Sequence, residues 1–159
     1  MFRRLTPLLS AALLFGATAS SAEGQDVGDP SRLAGVTSVS TRAHVTWDDE
    51  IVMAGGATGE QYEGALIQAF DAAMSDSSVT LDQEVPGFLM CRVETTFDGV
   101  IIAYSLRVEY HEPLGPNREP AITWFKSWLG TYGMQQLHLM FGLGDLCAEG
   151  FEEDWRSAN

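Results

Sequence analysis

Basic residues are scarce in this chain: nine Lys and Arg stand against 22 Asp and Glu, for a formal net charge of −13. A surface so acidic repels phosphate backbones and anionic bilayers, which excludes nucleic-acid binding as a working function. Cysteine is scarcer still, with two residues and no C-x-x-C spacing, so neither a thiol redox motif nor a cysteine-rich metal site is present. The sequence has no G-x-S-x-G, no H-E-x-x-H and no P-loop. After the first residues no apolar run approaches the roughly 20 needed to span a bilayer.

What is present begins with an export signal. MFRRLTPLLSAALLFGATASSAEG opens with Arg3 and Arg4, continues with an apolar run from Leu8 to Phe15, and ends in small residues that permit cleavage after Ala19 or Ala22. This is the layout of a secretory signal peptide over residues 1–22. Its removal takes two basic residues and no acidic one, leaving seven against 22 and a net charge of −15. The product is expected in the periplasm or outside the cell, with no stable membrane insertion after cleavage. Residues 23–35 (EGQDVGDPSRLAG) are polar and rich in turn formers, and read as a flexible leader. The remainder, 36–159, is the size of one domain.

Within that domain Val39, Ala43, Val45 and Trp47 share one parity, as in a strand with one buried face. Thr58-Gly59-Glu60-Gln61 fits a capping box, and the following helix places Tyr62, Leu66, Phe70 and Met74 on one stripe. A short strand at Val79 to Asp82 precedes two alternating runs hinged on Asp98-Gly99, which predict a long hairpin. HEPLGPNREP reads as a proline-punctuated loop and AITWFKSWLG as a further strand. From Met134 a helical period runs almost to the terminus, interrupted by Gly142 and Gly144. The expected fold is therefore α/β of the α+β type: one antiparallel-dominated sheet with a long hairpin and two helices on one face.

An exported chain with two cysteines invites a disulfide. Cys91 lies on the parity of Leu89 and Val93, and Cys147 on the apolar stripe of the last helix, so a Cys91–Cys147 bridge would pin that helix across the sheet.

The hairpin arm Ala103 to Val108, the pair Thr123-Trp124, and an ending that carries Phe151, Trp155 and Asn159 together resemble small secreted bacterial envelope α/β proteins, most of them uncharacterised. The order of elements is also similar to the amino-terminal domain of the Tol-system translocation protein and to the periplasmic part of curli-secretion lipoproteins. The resemblance implies partner binding or assembly in the cell envelope. This chain has neither the propeller of the first nor the lipid anchor of the second.

The chemistry-bearing side chains are few. His44, His111 and His138 lie far apart without metal-ligand spacing, and no metal or cofactor is expected. Gly55 to Gly59 leads into a helix, but no lysine follows, and a flexible connection with a cap accounts for the glycines. Asp48-Asp49-Glu50 and Glu152-Glu153-Asp154 read as solvated ends of elements. Glu94 and Glu109 on the hairpin have the chemistry of a general acid and base, though cross-strand pairing with Arg92 or Arg107 is the plainer account. One feature stands out: Trp124, Lys126 and Trp128 share a parity, and a lysine between two tryptophans is awkward for a buried face. Either the tryptophans are core and the lysine snorkels, or the three form an open partner surface. The expectation is a non-catalytic, partner-binding envelope protein that works with a protein partner. The alternatives are a small periplasmic hydrolase using carboxylate or histidine chemistry, and a carrier of a small apolar ligand.

Overall fold

A computed structural model describes residues 25–26 and 28–159. The expected signal peptide lies outside them. The domain is of the α+β class, built on one six-stranded sheet. The strands are β1 (Gln25–Asp26), β2 (Ser38–Thr46), β3 (Thr80–Leu81), β4 (Phe88–Phe97), β5 (Ile101–Leu114) and β6 (Glu119–Gly133). Across the sheet they run β1-β6-β5-β4-β2-β3.

The sheet is mixed rather than antiparallel-dominated. β4, β5 and β6 pair antiparallel, whereas β2 runs parallel to both β3 and β4. Parallel neighbours need a long crossover. Two helices lie in that connection, α1 (Asp49–Met53) and α2 (Gly59–Ser75). α2 starts at the capping box: Gln61 N–H donates to the Thr58 hydroxyl, and Thr58 N–H to the Gln61 side chain. Its buried residues are Tyr62, Leu66, Phe70 and Met74, the stripe its period predicts.

The hairpin tip sits one residue further along than expected. Phe97 pairs with Ile102, and Asp98 N–H donates to the Ile101 carbonyl, so Gly99-Val100 forms the turn. Gly99 supplies the positive φ of 94° in the first of those positions. Asp98 closes the turn from below, its Oδ1 accepting from the N–H groups of Val100 and Ile101.

Three further expectations are corrected. The loop read over 111–120 is mostly paired strand, for β5 and β6 continue to Leu114↔Glu119 around a turn at 115–118. Pro113 and Pro120 are tolerated there because β4 ends opposite His111, so beyond it β5 and β6 extend as a two-stranded ribbon whose outer edges pair with no other described strand. The single helix expected from Met134 is two elements, a 3-10 helix (Met134–Gly142) and α3 (Leu143–Ala158). Met134, Leu137 and Met140 are spaced by three, the repeat that aligns side chains on a 3-10 helix. The stretch read as a leader over 23–35 is part of the fold where it is described, in residues 25–26 and from 28 on. Pro30–Leu33 forms a 3-10 turn that buries Leu33, and Gln25–Asp26 pairs with Lys126 and Ser127 of β6. The chain's end holds it there: Asn159 accepts from Gly35 N–H and donates to the Leu33 carbonyl, while Trp155 Nε1–H donates to the Val36 carbonyl.

The core lies between the sheet and the helices. Leu89, Cys91 and Val93 of β4, Leu106, Val108 and Tyr110 of β5, and Trp124 and Trp128 of β6 point the same way, toward α2 and α3. The disulfide Cys91–Cys147 is formed, with Cα atoms 6.0 Å apart, and fastens α3 to the middle of the sheet.

Candidate functional site

The Trp124, Lys126, Trp128 stripe is not an open surface. All three residues are buried beneath α3. Asp154, on the same helical stripe as Cys147 and Phe151, reaches the sheet: its Oδ2 accepts from Trp124 Nε1–H at 3.0 Å and its Oδ1 from Lys126 Nζ at 3.0 Å. Lys126 also donates to Glu153 at 2.9 Å. The lysine is satisfied by carboxylates brought over it, so the acidic cluster expected to be solvated is partly core. Gly150 makes this approach possible, since a Cβ there would collide with the Trp128 ring. Alternation along β6 signals which residues share a face but carries no information about which helix covers them.

Among the described residues, the opposite face of the sheet has no helix over it. Reading across β2, β4, β5 and β6, one row of outward residues is Arg42, Met90, Glu109 and Phe125, and the next is His44, Arg92, Arg107 and Ser127. A third row is Thr46, Glu94, Ser105 and Leu129. Arg92 and Arg107 thus stand directly opposite each other, a like-charge arrangement that costs stability unless something neutralises it. Glu109 supplies one negative charge. Its carboxylate is 2% exposed, with Oε1 3.1 Å from Arg107 Nε and 3.7 Å from Arg92 Nε, and Oε2 2.8 Å from His111 Nε2. The cross-strand pairing expected for Glu109 is present with Arg92 of β4, while Arg107 meets it from two residues away on the same strand.

Aromatic rings support the cations from the side. The Arg107 guanidinium lies 4.1 Å from the Phe125 ring centroid, and that of Arg42 3.9 Å from Phe88. Phe88 in turn stacks on His111 at 4.4 Å. Such contacts hold a guanidinium plane in place without using its N–H groups. The guanidinium groups of Arg42, Arg92 and Arg107 donate no hydrogen bond to another described residue, and the closest approach of Arg92 and Arg107 to a carboxylate is the Nε edge at Glu109. Arg92 and Arg107 are one-third exposed, and their terminal nitrogens are the hydrogen-bond capacity this face offers.

Beyond this cationic row the same face falls into an open groove of about 540 Å³, lined by Glu94, Thr96, Ala103, Ser105, Leu129 and Thr131 among others. Short side chains form its floor, and Leu129 stands 67% exposed at its side. Arg42, Phe88 and Phe125 are the members of this site that sequence reasoning missed. The signal was present in the strand register, which sets Arg42 beside Phe88's strand and Phe125 beside Glu109.

The other residues singled out in the sequence serve local structure or stand apart. Asp48 caps α1 through Glu50 N–H and accepts from Phe97 N–H, joining the end of β2 to the end of β4. His44 lies 4.0 Å from Glu63 of α2, and His138 is in the 3-10 helix. Among the described residues no group of three or more histidine, cysteine or acidic side chains is placed to hold a metal. Histidine 111 and Glu109 are at the distance of a base and its orienting acid. That carboxylate, however, is shared with two arginines, and the imidazole is stacked on Phe88.

No protein-family model matches the chain, and no curated protein matches it. Among solved structures, the PelC dodecamer from Paraburkholderia phytofirmans and a single-residue variant of it are similar to 82% of this chain over 97% of their own, with a TM-score of 0.47. Sequence identity is 13% and 15%. Likeness of this degree does not transfer function.

Proposed function

We propose that the protein is a non-catalytic binding component of the cell envelope that engages a protein partner through the helix-free face of its sheet. The observation that carries this reading is the asymmetry of charge. Of the seven basic residues after residue 22, three (Arg42, Arg92 and Arg107) stand together on this face of an otherwise strongly acidic chain. Their terminal guanidinium nitrogens hydrogen-bond to no other described residue, and the groove beside them exposes Leu129. A cationic patch next to an apolar one, on a rigid sheet, is the make-up of an interface rather than of solvated surface.

The disulfide supports action in an oxidising compartment, as does the signal peptide expected over residues 1–22. Among the described residues no helix is long and apolar enough to cross a membrane. Envelope assembly proteins, which the chain resembles in its order of elements, work in that compartment through protein contacts.

Site-specific photo-crosslinking in the intact envelope tests the reading. A crosslinker replacing Leu129 or Ala103 should yield a discrete adduct, while one replacing Glu149 on the exposed side of α3 should not. Equal adducts from both sides, or none from the sheet face, would overturn it.

A further inference from the structure

We infer that Arg92 and Arg107 form a two-pronged carboxylate receptor, and that its occupant is an extended acidic segment of a partner protein with an aliphatic residue two positions from the acid. This rests on the reading of the helix-free face as the binding surface and specifies what binds there.

Three features point to this chemistry. The first is the unsatisfied pair. Two guanidinium groups in direct register on neighbouring strands share one carboxylate, Glu109, which approaches both along the Nε edge. The fold therefore retains an excess of positive charge at this row, with the forks that suit bidentate contact with a carboxylate left over. The second is rigidity. Phe125 beneath Arg107 and the buried Glu109 between the prongs hold them before any ligand arrives, which lowers the entropic cost of binding. The third is the neighbouring row. Ser105 and Leu129, at the edge of the groove, lie two residues along their strands from Arg107 and Ser127, or roughly 7 Å. An extended polypeptide lying along the strands has the same repeat between side chains on one side. An acid over the arginines then sets the residue two positions away over the groove, where Ala103, Thr96 and Leu129 favour an aliphatic side chain. Glu94, exposed in the groove row, discourages a second acid at that position. A free phosphate satisfies the arginines but not the groove, and a polysaccharide has no aliphatic side chain to place there.

The probe is an end-blocked peptide carrying two Glu-Ser-Leu units, compared with its Gln-Ser-Leu counterpart and with inorganic phosphate. Binding to the full mature protein is followed through the arginine Nε–H resonances and by titration. The glutamate peptide is expected to shift the Arg92 and Arg107 signals, and Arg92→Gln and Arg107→Gln each to weaken it roughly ten-fold. Arg92→Lys, which keeps the charge but not the fork, should also weaken it, and serves if either glutamine variant folds poorly. Arg156→Gln, on α3, should change nothing. The inference falls if the glutamine peptide binds as well, or if phosphate alone binds as tightly as the peptide. It also falls if the protein self-associates and Arg92→Gln abolishes this, because the occupant is then a second copy. Loss of the arginine effects while the Leu129 crosslink persists would remove this inference and leave the proposed function intact. Loss of the crosslink as well would remove both.

Discussion

Two charges are buried on opposite faces of the same strand pair, and they are treated differently. Lys126 on the covered face lies opposite Val108 and meets two carboxylates, with Trp124 sharing one of them, all under α3. Glu109 on the helix-free face is one carboxylate among two arginines and a histidine, with no element above it among the described residues. Around the lysine the counter-charge is in excess, with Asp154 buried beside it and Glu153 at the solvent edge; around the glutamate the cations are in excess and partly open to solvent. Burial of a charge is costly unless its partners satisfy it. The covered arrangement satisfies its charge within the fold, whereas the other leaves guanidinium groups one-third exposed, as the proposed binding role requires.

The largest effect expected is on the fastening that makes one face covered at all. The Cys91–Cys147 bridge closes a loop of sequence separation 56, for which chain entropy gives about 4 kcal/mol. Cys91→Ala with Cys147→Ala should lower unfolding stability by about that amount in denaturant melts. If the double variant matched the parent, α3 would be held by its packing alone, and the covered face would owe nothing to the covalent tie.

Next in size is Asp154→Ala, which removes the acceptor of both Trp124 Nε1–H and Lys126 Nζ and leaves the lysine to its remaining partners. Breaking a buried pair from one side costs about 3 kcal/mol. Glu109→Gln is the matching change on the other face. Because Arg92 and Arg107 are one-third exposed and water can reach them, the loss should be smaller, about 1 to 2 kcal/mol. Equal losses for the two variants would erase the distinction between a sealed charge and an open one. Trp124 fluorescence gives an independent reading, since only Asp154→Ala removes a contact to that ring.

How far the sequence disclosed this contrast depends on which interactions are local. The capping box at Thr58, the stripe of α2, the hairpin and the cysteine pairing were legible, because each rests on spacing within an element or on two residues alone. The parallel pairing of β2 was not, since the alternation of Val39, Ala43 and Val45 is the same in either direction. Pro113 and Pro120 looked like loop because their tolerance depends on where β4 stops. The covered and helix-free faces of β6 could not be told apart, for Lys126 between two tryptophans fits either until Asp154 is seen above it. Glu109 was legible as a partner of Arg92 and Arg107. That this face is the helix-free one, and that the arginines exceed their carboxylate, required the fold.

The smallest effect concerns a third carboxylate, exposed at the tip of the hairpin that carries Glu109. Asp98 has neither a buried cation nor an excess of them around it; the backbone N–H groups of Ile101 and Val100 hold its carboxyl below the ordinary carboxylate range. A depressed folded-state pKa contributes stability above the unfolded-state value, near 3.9, and this is lost as pH falls through the folded-state value. Asp98→Asn keeps an oxygen acceptor for the turn but not the charge. The melting temperature of the parent should therefore exceed that of the variant at neutral pH, and the gap should close in acid below about pH 4. A gap that stayed constant from neutral to acid would mean that the turn depends on the shape of the side chain and not on its charge. Asp98 would then contribute to the hairpin as an asparagine does, and the charge effects that separate the two faces would have no counterpart at the tip.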